Sequence, residues 1–242
     1  MEAVVVGGGV SGRAIQHSLT MHGARVRMLS RSTGFDVLTD NAARALGEAD
    51  AVIEATGTTS MSRKAATEFF TRSTQRIGDG AQQTGAHHIL LSIVNCDRVP
   101  GLGYYAAKAA QEQVARENGA TIVRSTQWFE FAEQFINRAR IGPLGIVPSM
   151  TMRPVALDAV AGVIAECVTG KRTQSAYDVA GPHIMTLWDL AERTGHLPRF
   201  AVPLMLPGKA GRAFRDGTIT GGTTTEIIGP SLDQWLAPRT DR

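Results

Sequence analysis

The segment Val4-Val5-Val6-Gly7-Gly8-Gly9-Val10-Ser11-Gly12 constrains the fold more than any other stretch of this chain. Three β-branched residues run into Gly-x-Gly-x-x-Gly, and a helical pattern with Ile15 and Leu19 on one face follows. Each glycine answers a steric demand. Gly7 permits the tight turn out of the strand, Gly9 lets the backbone approach a pyrophosphate, and Gly12 lets helix and strand pack closely. The helix N-terminus adds the free amides of Val10 and Ser11 and a partial positive charge, which suits phosphate. Strand, glycine turn and helix together predict a dinucleotide-binding unit.

The rest of the first half continues the alternation of a parallel sheet wrapped by helices. Strands are expected at 3–6, 25–29, 51–55, 89–93 and 121–124. Helices are expected at 12–21, 62–83 and 104–117, the second with Ala66, Phe70, Ile77 and Ala81 on its buried stripe. Further on, 157–168 is amphipathic, 177–179 is a short strand, and Thr186-Leu-Trp-Asp189 reads as a capping box. From Leu197 onward proline and glycine are frequent, so loops and short helices are expected there. The fold class is therefore α/β, a Rossmann-type doubly wound parallel sheet with a small C-terminal substrate or cap region. We expect one NAD(P)-binding domain over 1–242, its core to about 148 and the cap over about 149–242.

Cofactor choice is read at the end of the second strand. A carboxylate there would accept hydrogen bonds from the ribose hydroxyls of NAD, but the chain has Ser30 followed by Arg31. With nothing to repel a 2′-phosphate and a guanidinium to grip it, NADP(H) is the expected cofactor.

A second group of residues carries chemistry. Ser92 ends a strand, Tyr104 opens a helix, and Lys108 lies one turn further on. The i, i+4 spacing puts phenol and ammonium on one helical face, with Ala107, Ala110 and Val114 on a neighbouring stripe that can bury the helix while the pair faces a cleft. A phenol is a poor acid or base at neutral pH, and an ammonium beside it stabilises the phenolate.

Together with Leu90-Leu91-Ser92 and Ile122-Val123-Arg124-Ser125-Thr126, these motifs resemble the short-chain dehydrogenase/reductase superfamily. More narrowly, with Arg153–Asp158 and Tyr177–Pro182, they resemble its atypical, NmrA-like branch, over roughly residues 1–195. The glycine spacing departs from the branch's usual Gly-x-x-Gly-x-x-Gly, which would need a glycine where Val6 stands. The stretch from Arg31 to Asp36 is short for the usual helix and strand. The resemblance implies catalytic positions for Ser92, Tyr104 and Lys108, with Lys108 also reaching the nicotinamide ribose. It implies that Asp36 and Val37 flank the adenine, that Ala55, Thr56 and Gly57 line the cofactor, and that Thr126, Gln127 and Trp128 lie near the nicotinamide.

Other residues have plainer readings. Trp128, Phe129 and Phe131 follow the strand expected at 121–124, where they fit pocket wall or core; Gln127, Trp128 and Phe129 are the candidate substrate contacts. Glu130 and Glu133 read as a wet face. His87-His88 reads as loop or surface, and His17 and His22 as solvated. Cys96 and Cys167 stand far apart with no partner at metal-ligand spacing, so no metal is expected and each reads as a small buried hydrophobe.

The net charge of +3 comes without any Lys/Arg-rich run, so no nucleic-acid or membrane partner is expected. No leader and no long apolar run is seen, which points to the cytoplasm. The expected partner is a small molecule, and the chain leaves room for a homodimer. The motifs predict an NADPH-dependent oxidoreductase moving a hydride to or from a largely apolar carbonyl, alcohol or quinone-like substrate. Two other classes fit the same motifs: an NADP(H)-binding redox-sensing regulator without turnover, and a cofactor-retaining epimerase or isomerase.

Overall fold

Short apolar runs and amphipathic stretches alternate in the structure as they do in the sequence. The computed structural model describes residues 1–60, 62–99, 101–138 and 140–237. The chain opens with β1 (Glu2–Val6), α1 (Val10–Met21), β2 (Arg25–Leu29), α2 (Ala42–Leu46), β3 (Ala51–Glu54), α3 (Arg63–Thr84), β4 (His87–Ile93), α4 (Gly103–Glu117) and β5 (Thr121–Ser125). It continues through α5 (Phe131–Arg138), β6 (Arg140–Ile141), β7 (Leu144–Pro148), β8 (Thr151–Met152), α6 (Leu157–Val168), β9 (Ala176–Ala180) and β10 (Met185–Thr186). Last come α7 (Leu187–Arg193), β11 (Phe200–Leu204), α8 (Gly208–Arg215), β12 (Glu226–Ile227) and α9 (Leu232–Leu236).

Seven strands form a parallel sheet in the order β12-β9-β5-β4-β3-β1-β2, the α/β architecture that the alternation predicts. Its central strands are covered on both sides. Ala3, Val4 and Val5 of β1 and Val52 and Ile53 of β3 have no exposed surface, the pattern expected where helices close both faces of a sheet. β1 pairs with β2 on one side (Val4 opposite Arg27) and with β3 on the other (Val4 opposite Val52). β2 is the edge of the sheet. The link from Leu29 to α2 holds a single 3-10 turn, Arg31–Thr33, too little chain for the extra strand that would pair beyond it.

The chain divides into two compact units, Met1–Arg124 with Ala161–Tyr177, and Ser125–Val160 with Asp178–Arg242. In the first, Val4, Val6, Phe35, Leu46, Val52, Ile77 and Ala81 build a common core. The stripe expected on α3 is buried as its spacing requires. Arg76 of α3 donates to the carbonyls of Val37 and Asp40 (3.0 and 2.6 Å), tying the loop after β2 to the helix.

The second unit holds a small sheet ordered β11-β7-β6 and the antiparallel pair β10–β8. The capping box at Thr186 forms as expected, with reciprocal bonds to Asp189. The tail is more ordered than its proline and glycine content suggests. Phe200–Leu204 pairs in parallel with Leu144–Pro148 instead of running as loop. Proline is tolerated there because β11 is an edge strand. Among the described residues no helix is long and apolar enough to cross a membrane.

Candidate functional site

The glycine loop sits where β1 meets α1, and close approach explains its composition. Gly7 has φ +131°, and a β-carbon there would stand 2.3 Å from the Ala55 carbonyl oxygen. The turn therefore lies flat against the chain leaving β3, where Ala55 in turn donates its amide to Val6 (2.9 Å). Gly9 faces open space and is the N-cap of α1, with no side chain capping the first turn. The amides at the start of a twelve-residue helix, those of Val10, Ser11 and Gly12, are thus available to an anion, the arrangement a pyrophosphate requires.

Beside this loop, at the end of β2, hydroxyls collect. Ser30 Oγ lies 3.0 Å from where a Gly8 β-carbon would be, and exchanges a hydrogen bond with Ser32 Oγ (2.8 Å). Arg31 is exposed. Arg13, on the first turn of α1, is exposed as well and donates from Nη1 to the Gly8 carbonyl (2.8 Å). Sequence reading passes over Arg13 and Ser32, although an arginine directly after the last glycine of such a loop was a usable signal. Asp36 is engaged in its own turn, accepting from the Leu38 amide (2.9 Å), and Val37 packs on the core. Thr56, after β3, donates to Glu54 (3.0 Å), while Gly57 is exposed.

Helix α4 turns a different face inward from the one its apolar spacing predicts. Ala107 is buried, but Ala110 and Val114 are only half-buried. The inward face carries Tyr105, Lys108, Gln111 and Glu112. Lys108 does not face an open cleft; it is 4% exposed, and its Nζ donates to the Leu91 carbonyl (2.9 Å) and to Gln111 Oε1 (2.5 Å). The same nitrogen lies 4.9 Å from the centre of the Phe70 ring. Tyr104 is half-buried and meets Phe70 edge to face at 5.5 Å. Phe70 of α3 therefore touches both members of the Tyr-x-x-x-Lys pair. Burial pushes the Lys108 ammonium down from its ordinary value, against the opposing pull of Glu54, Cys96 and Glu112. Ser92 on β4 is also buried, and its hydroxyl has no partner among the described residues. A hydroxyl buried in this way is where a ligand's polar atom would complete the hydrogen bonding.

The buried polar cluster extends to residues with no assigned role in the sequence. Glu54, the last residue of β3, has no exposed surface. Its carboxylate accepts from Thr74 (2.8 Å), Gln111 (2.9 Å), Ser73 (3.3 Å) and His88 (3.2 Å). Burial alone would raise this carboxyl; the hydrogen bond and charge of His88, the Thr74 hydroxyl and the charge of Lys108 hold it below its ordinary value. His88 is therefore not a surface residue: it lies in β4, 4% exposed, with Glu54 as its partner. The available signal was a glutamate closing a wholly apolar strand, since an acid in such a place needs donors around it. Cys96 and Cys167 are buried free thiols, and burial foremost, with Glu112 beside it, pushes Cys96 up to about 12.

In the second unit, Thr126 donates to the Arg153 carbonyl (2.6 Å), and Gln127 is buried. Trp128 is half-buried and anchored by Nε1 to Ser125 Oγ (3.0 Å). Phe129 belongs to the core, 2% exposed against the Trp235 ring at 5.3 Å. Glu133 is exposed as expected, but Glu130 is not on a wet face. One of its carboxyl oxygens is shielded from solvent, and burial, with Asp158 nearby, pushes the group up.

No protein-family model and no curated protein matches this chain. Solved structures share its fold. A dTDP-4-dehydrorhamnose reductase from Clostridium acetobutylicum superimposes with a TM-score of 0.66 at 17% identity, covering 84% of this chain and 84% of that one. A triphenylmethane reductase from Citrobacter sp., complexed with NADP(H), gives 0.64 at 10% identity over 95% and 97%. An NADPH-dependent quinone oxidoreductase from Escherichia coli, complexed with NADPH, gives 0.61 at 14% identity over 90% and 88%. At these identities the likeness establishes the Rossmann-type α/β fold of this chain.

Proposed function

We propose that this chain is an NADPH-dependent oxidoreductase acting on a largely apolar carbonyl, alcohol or quinone-like small molecule, within the short-chain dehydrogenase/reductase superfamily and its NmrA-like branch. The observation that carries the reading is Tyr104 and Lys108 brought together on Phe70, in the unit whose glycine loop leaves a helix N-terminus uncapped. The neighbours complexed with NADP(H) and NADPH support the cofactor.

The residues present fit such a cofactor. Gly7, Gly9, Val10, Ser11 and Gly12 would hold the pyrophosphate by their backbone, and Ser30, Arg31 and Arg13 the 2′-phosphate. Asp36, Val37, Ala55, Thr56 and Gly57 would line the remainder. When bound, the nicotinamide supplies or accepts a hydride. This chain's own part is to hold the carbonyl oxygen by Ser92 Oγ and to donate or accept a proton at the Tyr104 hydroxyl. The Lys108 ammonium favours the phenolate.

NADPH oxidation against a panel of ketones, aldehydes and quinones tests the reading. Tyr104→Phe should leave NADPH affinity nearly unchanged and cut turnover by roughly 10² or more. Turnover unchanged in that variant would remove Tyr104 from the chemistry. One observation favours the regulatory reading instead: Lys108 already holds Leu91, Gln111 and the Phe70 ring. A wild type that binds NADPH but oxidises it with no member of the panel would support that role. Conversion of a sugar nucleotide with no net change in cofactor would support an epimerase.

A further inference from the structure

Lys108 and Glu54 are opposite charges inside the first unit, and neither reaches the other directly. Gln111 stands between them. Its Oε1 accepts from Lys108 Nζ (2.5 Å), while its Nε2 donates to Glu54 Oε1 (2.9 Å) and Thr74 Oγ1 (3.0 Å). The chemistry fixes which way this amide points. An ammonium only donates and an ionised carboxylate only accepts, so the amide must turn its oxygen to one and its nitrogen to the other. A side chain with both functions at one tip is what such a gap requires.

The other acid close to Lys108 is already answered. Glu112 is paired with Arg116 (2.5 Å) and Arg124 (2.8 Å) and receives the Cys96 thiol (3.4 Å). Among the described residues Glu54 has no arginine at all; hydroxyls, an amide and His88 surround it. A buried ammonium without a counter-charge would lose its proton, because burial disfavours the charged form.

We propose that Glu54 is a positioning residue for the Tyr104–Lys108 pair, supplying through the Gln111 amide the buried negative charge that keeps Lys108 an ammonium. This rests on the oxidoreductase reading for its catalytic consequence, but not for its physical content. The charged and titratable groups acting on Lys108 are Glu54 from β3, Cys96 from the turn after β4 and Glu112 from α4 itself, with Gln111 of α4 hydrogen-bonded to it. His88 of β4 acts on it by way of Glu54. Glu54 thereby tunes a proton-transfer site without touching substrate or cofactor.

The test reads Lys108 directly. The chain has four lysines, Lys64, Lys108, Lys171 and Lys209. In protein labelled with ¹³C at lysine Cε, the Lys108 resonance is assigned by its loss in Lys108→Arg. Its titration midpoint should fall by about one pH unit or more in Glu54→Gln. The double variant Glu54→Gln/Gln111→Glu moves the charge one link closer and should bring the midpoint back. A midpoint unmoved in Glu54→Gln overturns the proposal, whatever the enzyme's activity.

With an active wild type, the alkaline fall of kcat in Glu54→Gln should move by the same interval while the substrate KM holds. A purely structural role would lower stability and leave both titrations in place, which also overturns it. If the midpoint moves but no substrate is ever turned over, the charge link stands and the oxidoreductase reading falls. Should Glu54→Gln not fold, the wild type still decides. Its Lys108 resonance must shift in the acid range where Glu54 takes up a proton, and a resonance blind to that step rules the link out.

Discussion

Gly12 lies against Gly7 so closely that a β-carbon at position 12 would stand 1.8 Å from the Gly7 carbonyl oxygen. Helix and strand could meet there only by moving backbone, since nothing flexible intervenes. Gly12→Ala should therefore cost roughly 2 kcal/mol or more, at the upper end of overpacking penalties. It should also weaken NADPH binding, because α1 can no longer present its first amides where β1 ends. Thermal melts and fluorescence titration measure the two effects. A variant as stable as the wild type would mean that the close approach is not needed.

Cofactor preference gives a second prediction. Arg31 and Arg13 are both exposed beside the Ser30 and Ser32 hydroxyls and the glycine loop. NADPH should bind at least tenfold more tightly than NADH, a difference of about 1.4 kcal/mol that one charge-assisted phosphate contact can supply. Arg31→Ala should remove most of that gap, and Arg13→Ala should narrow it further. Dissociation constants for the two cofactors, measured in each variant, decide the matter; equal values in the wild type would refute it.

A third prediction concerns acid stability. The Glu54 carboxyl is held below its ordinary value of 4.5 in the fold. A lowered acid contributes stability that is complete above the unfolded value and is lost as pH falls through the folded one. The urea midpoint of the wild type should therefore drop once the pH falls below the ordinary carboxyl value and on through the lowered one. Glu54→Gln should be less stable by about 3 kcal/mol at neutral pH, since it leaves Lys108 buried without its counter-charge. The gap between the two proteins should shrink as the pH falls. A constant gap across that range would show that Glu54 is not ionised in the fold.

These predictions draw unequally on sequence and structure. Glycine spacing and β-branched runs made the loop, the parallel strands and the stripe on α3 legible, because each follows from local sterics and a regular period. The inward face of α4 was hidden for the opposite reason. Lys108, Gln111 and Glu112 look like solvent-facing residues in a helical pattern, and only partners from other elements let them go inside. His88 was misplaced on the same ground, its burial depending on Glu54, which lies 34 residues away. Pairing of β11 with β7 likewise joins segments far apart, and no local signal in a proline-rich tail announces it.

The last prediction separates two aromatic neighbours that the sequence treats alike. Trp128 and Phe129 follow β5 side by side, yet Phe129 is 2% exposed against Trp235 while Trp128 is half-buried and held at its indole nitrogen by Ser125. Removing a fully buried ring leaves a cavity, so Phe129→Ala should cost about 3–5 kcal/mol of stability. Trp128→Ala removes a ring that is already partly open to solvent, and should cost clearly less. Its effect should fall on function. A large flat surface with one polar anchor suits apolar or aromatic molecules, oriented by few polar groups. Turnover of bulky aromatic carbonyls and quinones should drop more in Trp128→Ala than turnover of small aliphatic ones, with NADPH affinity unchanged. Melting curves and a matched substrate series read both halves. If Trp128→Ala slows large and small substrates equally, the indole is no part of the substrate pocket. If the wild type instead turns over sugar phosphates selectively, the apolar character assigned to the substrate is wrong.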